Sequence, residues 1–364
     1  MFKSIEINNF RGINTLKIDE LSRINVFVGP NNSGKTTIIE SLFILTGMSN
    51  PRLSLNVNAF RDVLHSEEND FRLNFRGLNF DNKIYLSGFV EKDGRRSLEI
   101  TPIYSKGMLR NAPDKKNDST TNSDISDASG FSDSSGHNDA IGLNYNFKKS
   151  QKKYLSKLIF EKNQMEVILS KNYKETLNAR FFSANTMSGT IADRIDKIQR
   201  NKKKDLLIQT LKRIEPRIVD VALSKNKMVY VDIGIEQMIP LNLMGYGFSK
   251  ACGLIANLLV LQDGFLMIDE IENGFHPETL SILWNAIFSA AQEYNVQIFL
   301  TTHSYEAIKT LLSVIQDNDF NKDELGLFLI QKFKDERHKC YKYEYESLKE
   351  TLDSNVEIRG KLID

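Results

Sequence analysis

Eight residues near the N-terminus, Gly29-Pro30-Asn31-Asn32-Ser33-Gly34-Lys35-Thr36, spell G-x-x-x-x-G-K-[ST]. The apolar run Ile24-Asn25-Val26-Phe27-Val28 precedes them, and Ile38, Ile39, Leu42, Phe43 and Leu45 recur behind them at helical spacing. The pattern therefore stands where its chemistry needs it, after a strand and opening a helix. Its glycines let backbone amides turn inward on phosphate oxygens, and the helix N-terminus adds positive potential. Lys35 is expected to reach the β- and γ-phosphates of ATP and the Thr36 hydroxyl to coordinate Mg²⁺, with Asn31, Asn32, Ser33 and Thr37 completing the cradle. A chance Gly/Asn-rich turn is the bland alternative, and the flanking strand and helix weigh against it.

Two further strand ends carry matching chemistry. Phe265-Leu266-Met267-Ile268 runs into Asp269-Glu270, placing one carboxylate to hold the magnesium ion and a second to polarise the attacking water. Ile298-Phe299-Leu300-Thr301-Thr302 runs into His303, one βα unit later and so at the same sheet edge. A histidine there can hydrogen-bond a γ-phosphate and the attacking water. Each has a bland counterpart, a solvated acidic turn and a structural histidine. The fourth element, Gly245-Tyr246-Gly247-Phe248-Ser249-Lys250, reads as a turn capped by Ser249 at the start of a helix over 250–261. It offers a second anion site, which suits a γ-phosphate bound by another copy of the chain. Alone, such a turn is an ordinary helix cap.

These motifs need a frame, and the patterning supplies one. Short β-rich runs fill 2–9, 15–20, 23–29, 83–91 and 97–104. Later come strands near 158–160, 165–169, 228–233 and 237–243, and a basic amphipathic helix over 191–214 containing Arg194, Lys197, Arg200, Lys202, Lys203 and Lys204. From 250 onward helices and strands alternate: helix 250–261, strand 265–269, helix 277–294, strand 297–301, helix 305–313. Strands 325–331 and 339–345 follow. Such alternation means a parallel sheet covered by helices. The fold class is thus α/β of the P-loop NTPase kind, a mixed or parallel sheet covered by helices, with an antiparallel N-terminal subdomain and an inserted middle region. Residues 1–105 form an N-terminal lobe with the phosphate loop, 106–178 an insertion, and 179–364 a C-terminal lobe. Within the insertion, 111–140 is nearly all Ser, Asp, Asn, Thr and Gly and is expected to be disordered.

Bulk properties narrow the setting. The chain has 364 residues, 41% hydrophobic and 26% charged, with a formal net charge of +1. No global field marks nucleic acid or a membrane as partner. Cys252 and Cys340 are the only cysteines, which excludes a cysteine-based zinc site. The longest apolar stretch, 253–261, falls short of the roughly 20 residues a bilayer span needs. The expectation is a soluble, cytoplasmic protein.

Together the motifs resemble the ABC-class ATPases of the structural-maintenance, RecF and OLD group. Asn9-Phe10-Arg11-Gly12 resembles that group's opening motif, which places Arg11 near the nucleotide. Asp269-Glu270-Ile271-Glu272-Asn273-Gly274-Phe275-His276-Pro277 and Thr301-Thr302-His303-Ser304 resemble OLD-like sequences. Gly245, Gly247 and Ser249 then stand for the signature, although the sequence departs from the transporter Leu-Ser-Gly-Gly-Gln. The resemblance covers about 1–105 and 179–345. It implies a two-lobe ABC-head-like architecture and ATP hydrolysis with Mg²⁺ in a homodimer, each copy closing over the other's nucleotide, with higher assembly open. Asp317-Asn318-Asp319, the only Asp-x-Asp pair after His303, reads as a solvated loop and not as a nuclease site. The resemblance is therefore to stand-alone ATPase subunits of anti-phage systems, whose effector (a nuclease or toxin) is a separate polypeptide. A RecF-like ATPase tracking DNA through the basic helix, or a nucleotide-gated scaffold with little hydrolysis, are the competing readings.

Overall fold

The computed structural model describes residues 1–61, 63, 68–104, 140–161, 164–183 and 191–353; the segment expected to be disordered lies outside them except for Ala140. In chain order the elements are β1 (Phe2–Phe10), β2 (Ile13–Ile18), β3 (Ile24–Val28), α1 (Lys35–Thr46), α2 (Arg52–Ala59), β4 (Ile84–Val90) and β5 (Gly94–Tyr104). Next come β6 (Ala140–Lys149), β7 (Lys152–Glu161), β8 (Gln164–Ile168), β9 (Ala179–Phe182), α3 (Ile191–Arg200) and α4 (Lys204–Lys212). The remainder is β10 (Asp220–Leu223), β11 (Val229–Asp232), β12 (Ile239–Pro240), α5 (Tyr246–Val260), β13 (Phe265–Ile268), α6 (Pro277–Glu293), β14 (Gln297–Thr301), α7 (Tyr305–Asp317), β15 (Leu325–Lys332), β16 (His338–Tyr343) and α8 (Tyr345–Asp353).

The central sheet has the order β16-β15-β3-β14-β13-β9, parallel except for β16. Every residue of β3, β13 and β14 is buried, as expected for strands covered on both faces. Their two faces feed different cores. Ile24, Val26, Leu266, Ile268, Ile298 and Leu300 pack with α3, α5, α6 and α7. Phe27, Phe265, Met267 and Phe299 pack instead with α1 and the second sheet. That second sheet is antiparallel, in the order β2-β1-β4-β5-β6-β7-β8. Helix α1 lies between the sheets and is buried at every position but Thr36, so its apolar residues run around the whole helix instead of along one stripe.

The two sheets do not follow the lobes read from the sequence. Strand β3, from the first hundred residues, sits at the centre of the sheet completed by β13, β14 and β15. The described part of 106–178 joins the N-terminal sheet, with β6 paired to β5 from Arg96↔Lys149 to Tyr104↔Ala140. Three local expectations change. The single helix over 191–214 is two helices, because Lys202 turns left-handed (φ 57°) and the Lys203 N–H reaches back to Ile198 O at 3.0 Å. The expected strand over 237–243 keeps only Ile239 and Pro240 in a ladder, and Leu241–Leu243 winds into a 3₁₀ turn. Helix α5 begins four residues earlier than 250, at Tyr246. No described helix is long and apolar enough to cross a membrane.

Candidate functional site

The phosphate loop leaves the end of β3 against the end of β15. At Gly29 a Cβ would lie 2.4 Å from the Ile330 carbonyl oxygen, and its φ of +146° belongs to glycine, so no side chain fits there. Gly34, at φ +95°, turns the chain into α1. Asn31 and Asn32 are exposed, while Ser33 and Thr37 are buried and the Ser33 hydroxyl has no hydrogen-bond partner. Lys35 donates its ammonium to Gly29 O at 2.9 Å and Pro30 O at 2.8 Å. Burial lowers its pKa, opposed by the fields of Glu272, Glu270 and Asp269. A cation stripped of water by burial gains from an anionic ligand.

The acidic strand meets this loop through one oxygen. Asp269 Oδ1 accepts from the Thr36 hydroxyl at 2.9 Å and from the Thr301 hydroxyl at 2.7 Å. Thr301 Oγ1 in turn accepts the Glu270 backbone N–H at 2.8 Å. Parallel pairing of β13 with β14, with Ile268 opposite Leu300, sets Thr301 beside Asp269. Glu270 leaves the strand in the left-handed region (φ 47°), and its side chain is half exposed. His303 Nδ1 lies 4.0 Å from Glu270 Oε1 and 2.9 Å from Glu272 Oε1. The structure thus brings Lys35, Thr36, Asp269, Glu270 and His303 to one edge of the central sheet. Thr36 and Asp269 present hard oxygen donors side by side, which fits a magnesium ion.

Ser249 is placed otherwise than expected, and Arg11 is tied into an ion-pair cluster. Ser249 is not the cap of α5: Gly245 holds that position at φ 90°, and Ser249 is buried with its hydroxyl donating to Leu241 O at 2.8 Å. What this turn offers outward is the first amides of the helix, with Tyr246 half exposed. Arg11 is engaged in an ionic cluster on α1. Its Nη2 donates to Asn58 Oδ1 at 2.7 Å, and its Nε is 3.3 Å from Oε2 of the fully buried Glu40, which Arg61 also binds through two nitrogens at 2.7 and 3.0 Å. Burial, against the attraction of Glu40, brings the Arg11 pKa down to about 10.

A model of the family described as "AAA domain, putative AbiEii toxin, Type IV TA system" matches residues 24–309, a span that includes the phosphate loop, the acidic strand and His303. The chain belongs to this family. It is similar to the "ATP/GTP phosphatase" of Helicobacter pylori, 24% identical over 347 residues, which are 88% of this chain and 90% of that one. It is also similar to the "DNA replication and repair protein RecF" of Psychromonas ingrahamii, 33% identical over 102 residues covering 28% and 27% of the two chains. Among solved structures, the SMC head domain from Thermotoga maritima aligns with 94% of this chain and 99% of its own at 11% identity and TM-score 0.45. The Pyrococcus furiosus Smc head domain bound to the C-terminal domain of ScpA aligns with 97% and 99% at 10% identity and TM-score 0.49.

In this AAA-domain protein three residues outside the expected set complete the site. Thr301 ties the acidic strand to its neighbour, and period-two register with Asp269 on adjacent parallel strands was the signal for it. Lys250 is fully buried on α5 and donates to Asn273 O at 2.6 Å and Glu270 O at 3.3 Å. Glu272 is the third, and only the fold of the loop after β13 reveals it. The signature-like turn rests on that same loop: a Cβ on Gly247 would lie 2.6 Å from Gly274 O, and the Tyr246 ring covers Gly274. The basic segment, in contrast, is largely spent on structure. Lys197 and Lys203 donate to Val260 O and Leu259 O at the C-terminal end of α5, each at 3.4 Å. Lys203 lies over the Tyr294 ring, Lys204 pairs with Asp220 at 2.8 Å, and Arg200 pairs with Asp196 at 2.7 Å. Asp317 and Asp319 are both exposed, but Asp317 closes α7 and only Asp319 lies beyond the helix.

Proposed function

We propose that this chain is an ATP-hydrolysing switch that works as a head-to-tail homodimer. The observation that carries the reading is the single Asp269 oxygen shared by Thr36 and Thr301, which joins phosphate loop, acidic strand and catalytic loop into one unit. Residues 29–37 would bind the phosphates, with Lys35 leaving its two carbonyl acceptors for the γ-phosphate. Thr36 and Asp269 would hold Mg²⁺, which neutralises phosphate charge. Glu270 takes a proton from water as the water oxygen bonds to the γ-phosphorus. The bond from that phosphorus to the bridging oxygen breaks, its electron pair leaves with ADP, and phosphate is released. His303 faces the γ-phosphate side and aligns the attacking water there, so that it senses whether the third phosphate is present. The α5 N-terminus, around Gly245 and Gly247, would close over the partner copy's nucleotide, by backbone amides and not by the Ser249 hydroxyl.

The family description, naming a toxin and a type IV toxin–antitoxin system, supports a further step: the dimer regulates a separate toxic effector in an OLD-like anti-phage setting. The phosphatase name of the Helicobacter pylori relative supports hydrolysis. The test is phosphate release together with light scattering of the intact chain. Glu270→Gln is expected to abolish turnover and accumulate an ATP-bound dimer, and Lys35→Ala to prevent that dimer. Wild-type turnover in Glu270→Gln would remove Glu270 from its role, and a monomer under saturating ATP in that variant would remove the dimer.

A further inference from the structure

Between Glu270 and His303 stands a second glutamate of the 269–277 segment. Glu272 lies in the turn after β13, and its side chain is only 10% exposed. Its Oε1 accepts the His303 backbone N–H at 2.7 Å and sits 2.9 Å from the ring Nδ1 of the same residue. Glu270, the carboxylate expected to polarise water, is at 4.0 Å from that nitrogen. Glu272 Oε2 is buried and has no hydrogen-bond partner. Two buried lysines flank this carboxylate: for Lys35 and for Lys250, burial lowers the pKa and Glu272 is the carboxylate that opposes it most. The site thus sets Glu272 between two buried lysines and turns one oxygen onto His303.

An imidazole whose Nδ1 faces a carboxylate keeps a proton there, and this decides what its other nitrogen can do. We propose that Glu272 is the positioning residue for His303: it fixes the neutral ring with its proton on Nδ1 and leaves Nε2 as a hydrogen-bond acceptor at the site. The consequence for chemistry rests on the hydrolytic reading above. Nε2 accepts one hydrogen of the attacking water while Glu270 takes the other, so the oxygen lone pair is aimed at the γ-phosphorus. His303 then gains no proton in the step, and Glu270 remains the base.

The test uses the intact chain and the isosteric Glu272→Gln, which replaces the carboxylate facing Nδ1 by a neutral amide, a weaker acceptor for a proton there. The His303 ¹⁵N ring shifts, assigned with His303→Gln, are expected to show the Nδ1–H tautomer in the wild type. In Glu272→Gln the ring is expected to move toward Nε2–H. Outer-shell partners of metal-ligating histidines are typically worth about 10–100-fold; by analogy kcat should fall by about that factor, with KM and the Kd for ATP within about threefold. An unaltered melting temperature separates this from misfolding. A wild-type ring carrying its proton on Nε2 overturns the proposal, as does a Gln variant with unchanged tautomer and kcat. A wild type with the Nδ1–H tautomer but no phosphate release upholds the positioning role and sinks the hydrolytic reading instead.

Discussion

Lys250→Met tests whether a buried cation is kept for the fold or for the site. In the wild type the ammonium is fully buried on α5 and bridges the carbonyls of Glu270 and Asn273, with the Phe275 ring 5.1 Å away. Burial, against the attraction of Glu272, Glu270 and Asp269, brings its pKa from 10.5 down to about 8. The sign follows from linkage. Below about pH 8 both folded and unfolded chains carry the proton, so the desolvation penalty, about 3 kcal/mol, is present in full. As pH rises from about 8 towards 10.5 the folded chain loses its proton first, and the penalty lifts. The methionine variant carries no such group. Wild-type stability relative to the variant should therefore rise by about 2 kcal/mol between about pH 7.5 and about pH 10.

At neutral pH two terms oppose each other. The variant escapes the penalty of about 3 kcal/mol, and it orphans two carbonyls at about 1–3 kcal/mol each if they stay dry. Asn273 and Glu270 are exposed, so water can take up part of that loss. The net change should stay within about 2 kcal/mol of zero. The catalytic loop, however, loses the clamp that joins Glu270 to the helix under the signature-like turn, and kcat should drop at least about tenfold. Urea unfolding at several pH values and steady-state phosphate release measure the two halves separately. Parallel pH profiles for wild type and variant would refute the depressed pKa. A variant with unchanged kcat would show that the clamp does not position Glu270.

Other perturbations test neighbouring links. Glu40→Gln leaves Arg11 and Arg61 without their buried counterion, and since Arg61 is 41% exposed the loss should fall near the low end for a broken buried pair, about 3 kcal/mol. For a chain of this size that is a drop of about 4 °C in a calorimetric melt; an unchanged melt would mean the cluster is not ionic. Thr301→Val removes the hydroxyl shared by Asp269 and the Glu270 N–H, at a cost of about 1–3 kcal/mol, and should weaken Mg²⁺-dependent turnover in phosphate-release assays. Gly247→Ala forces a methyl against the Gly274 carbonyl and should impair the ATP-bound dimer seen by light scattering more than it impairs nucleotide binding. Neutralising Lys197 and Lys203 together should lower thermal stability through the lost cap of α5, a result that unchanged melting would contradict.

The phosphate loop, the acidic strand and the strand ending at His303 were legible in the amino-acid sequence because their signals are local. A buried parallel strand is a short apolar run, and the groups at its end inherit their place from it. Residues 24–29, 265–270 and 297–303 therefore declared both their conformation and their shared sheet edge. The basic run over 194–204 was legible as composition but not as role. Its lysines find the carbonyl ends of α5, more than fifty residues away, and no local pattern encodes that meeting. Ser249 shows the opposite failure: a serine beside a glycine turn looks like a cap, but the helix starts earlier and draws the hydroxyl inside. Glu272 is the sharpest case. In the sequence it is one member of the acidic 269–277 segment with nothing to mark its partner, and only the fold brings it to His303 and sets Lys35 and Lys250 around it. Local patterning fixes which residues can do chemistry, because propensity and burial act over a few residues. Which of them share a proton or a charge is decided by packing between distant segments, where a displacement of one ångström changes the partner.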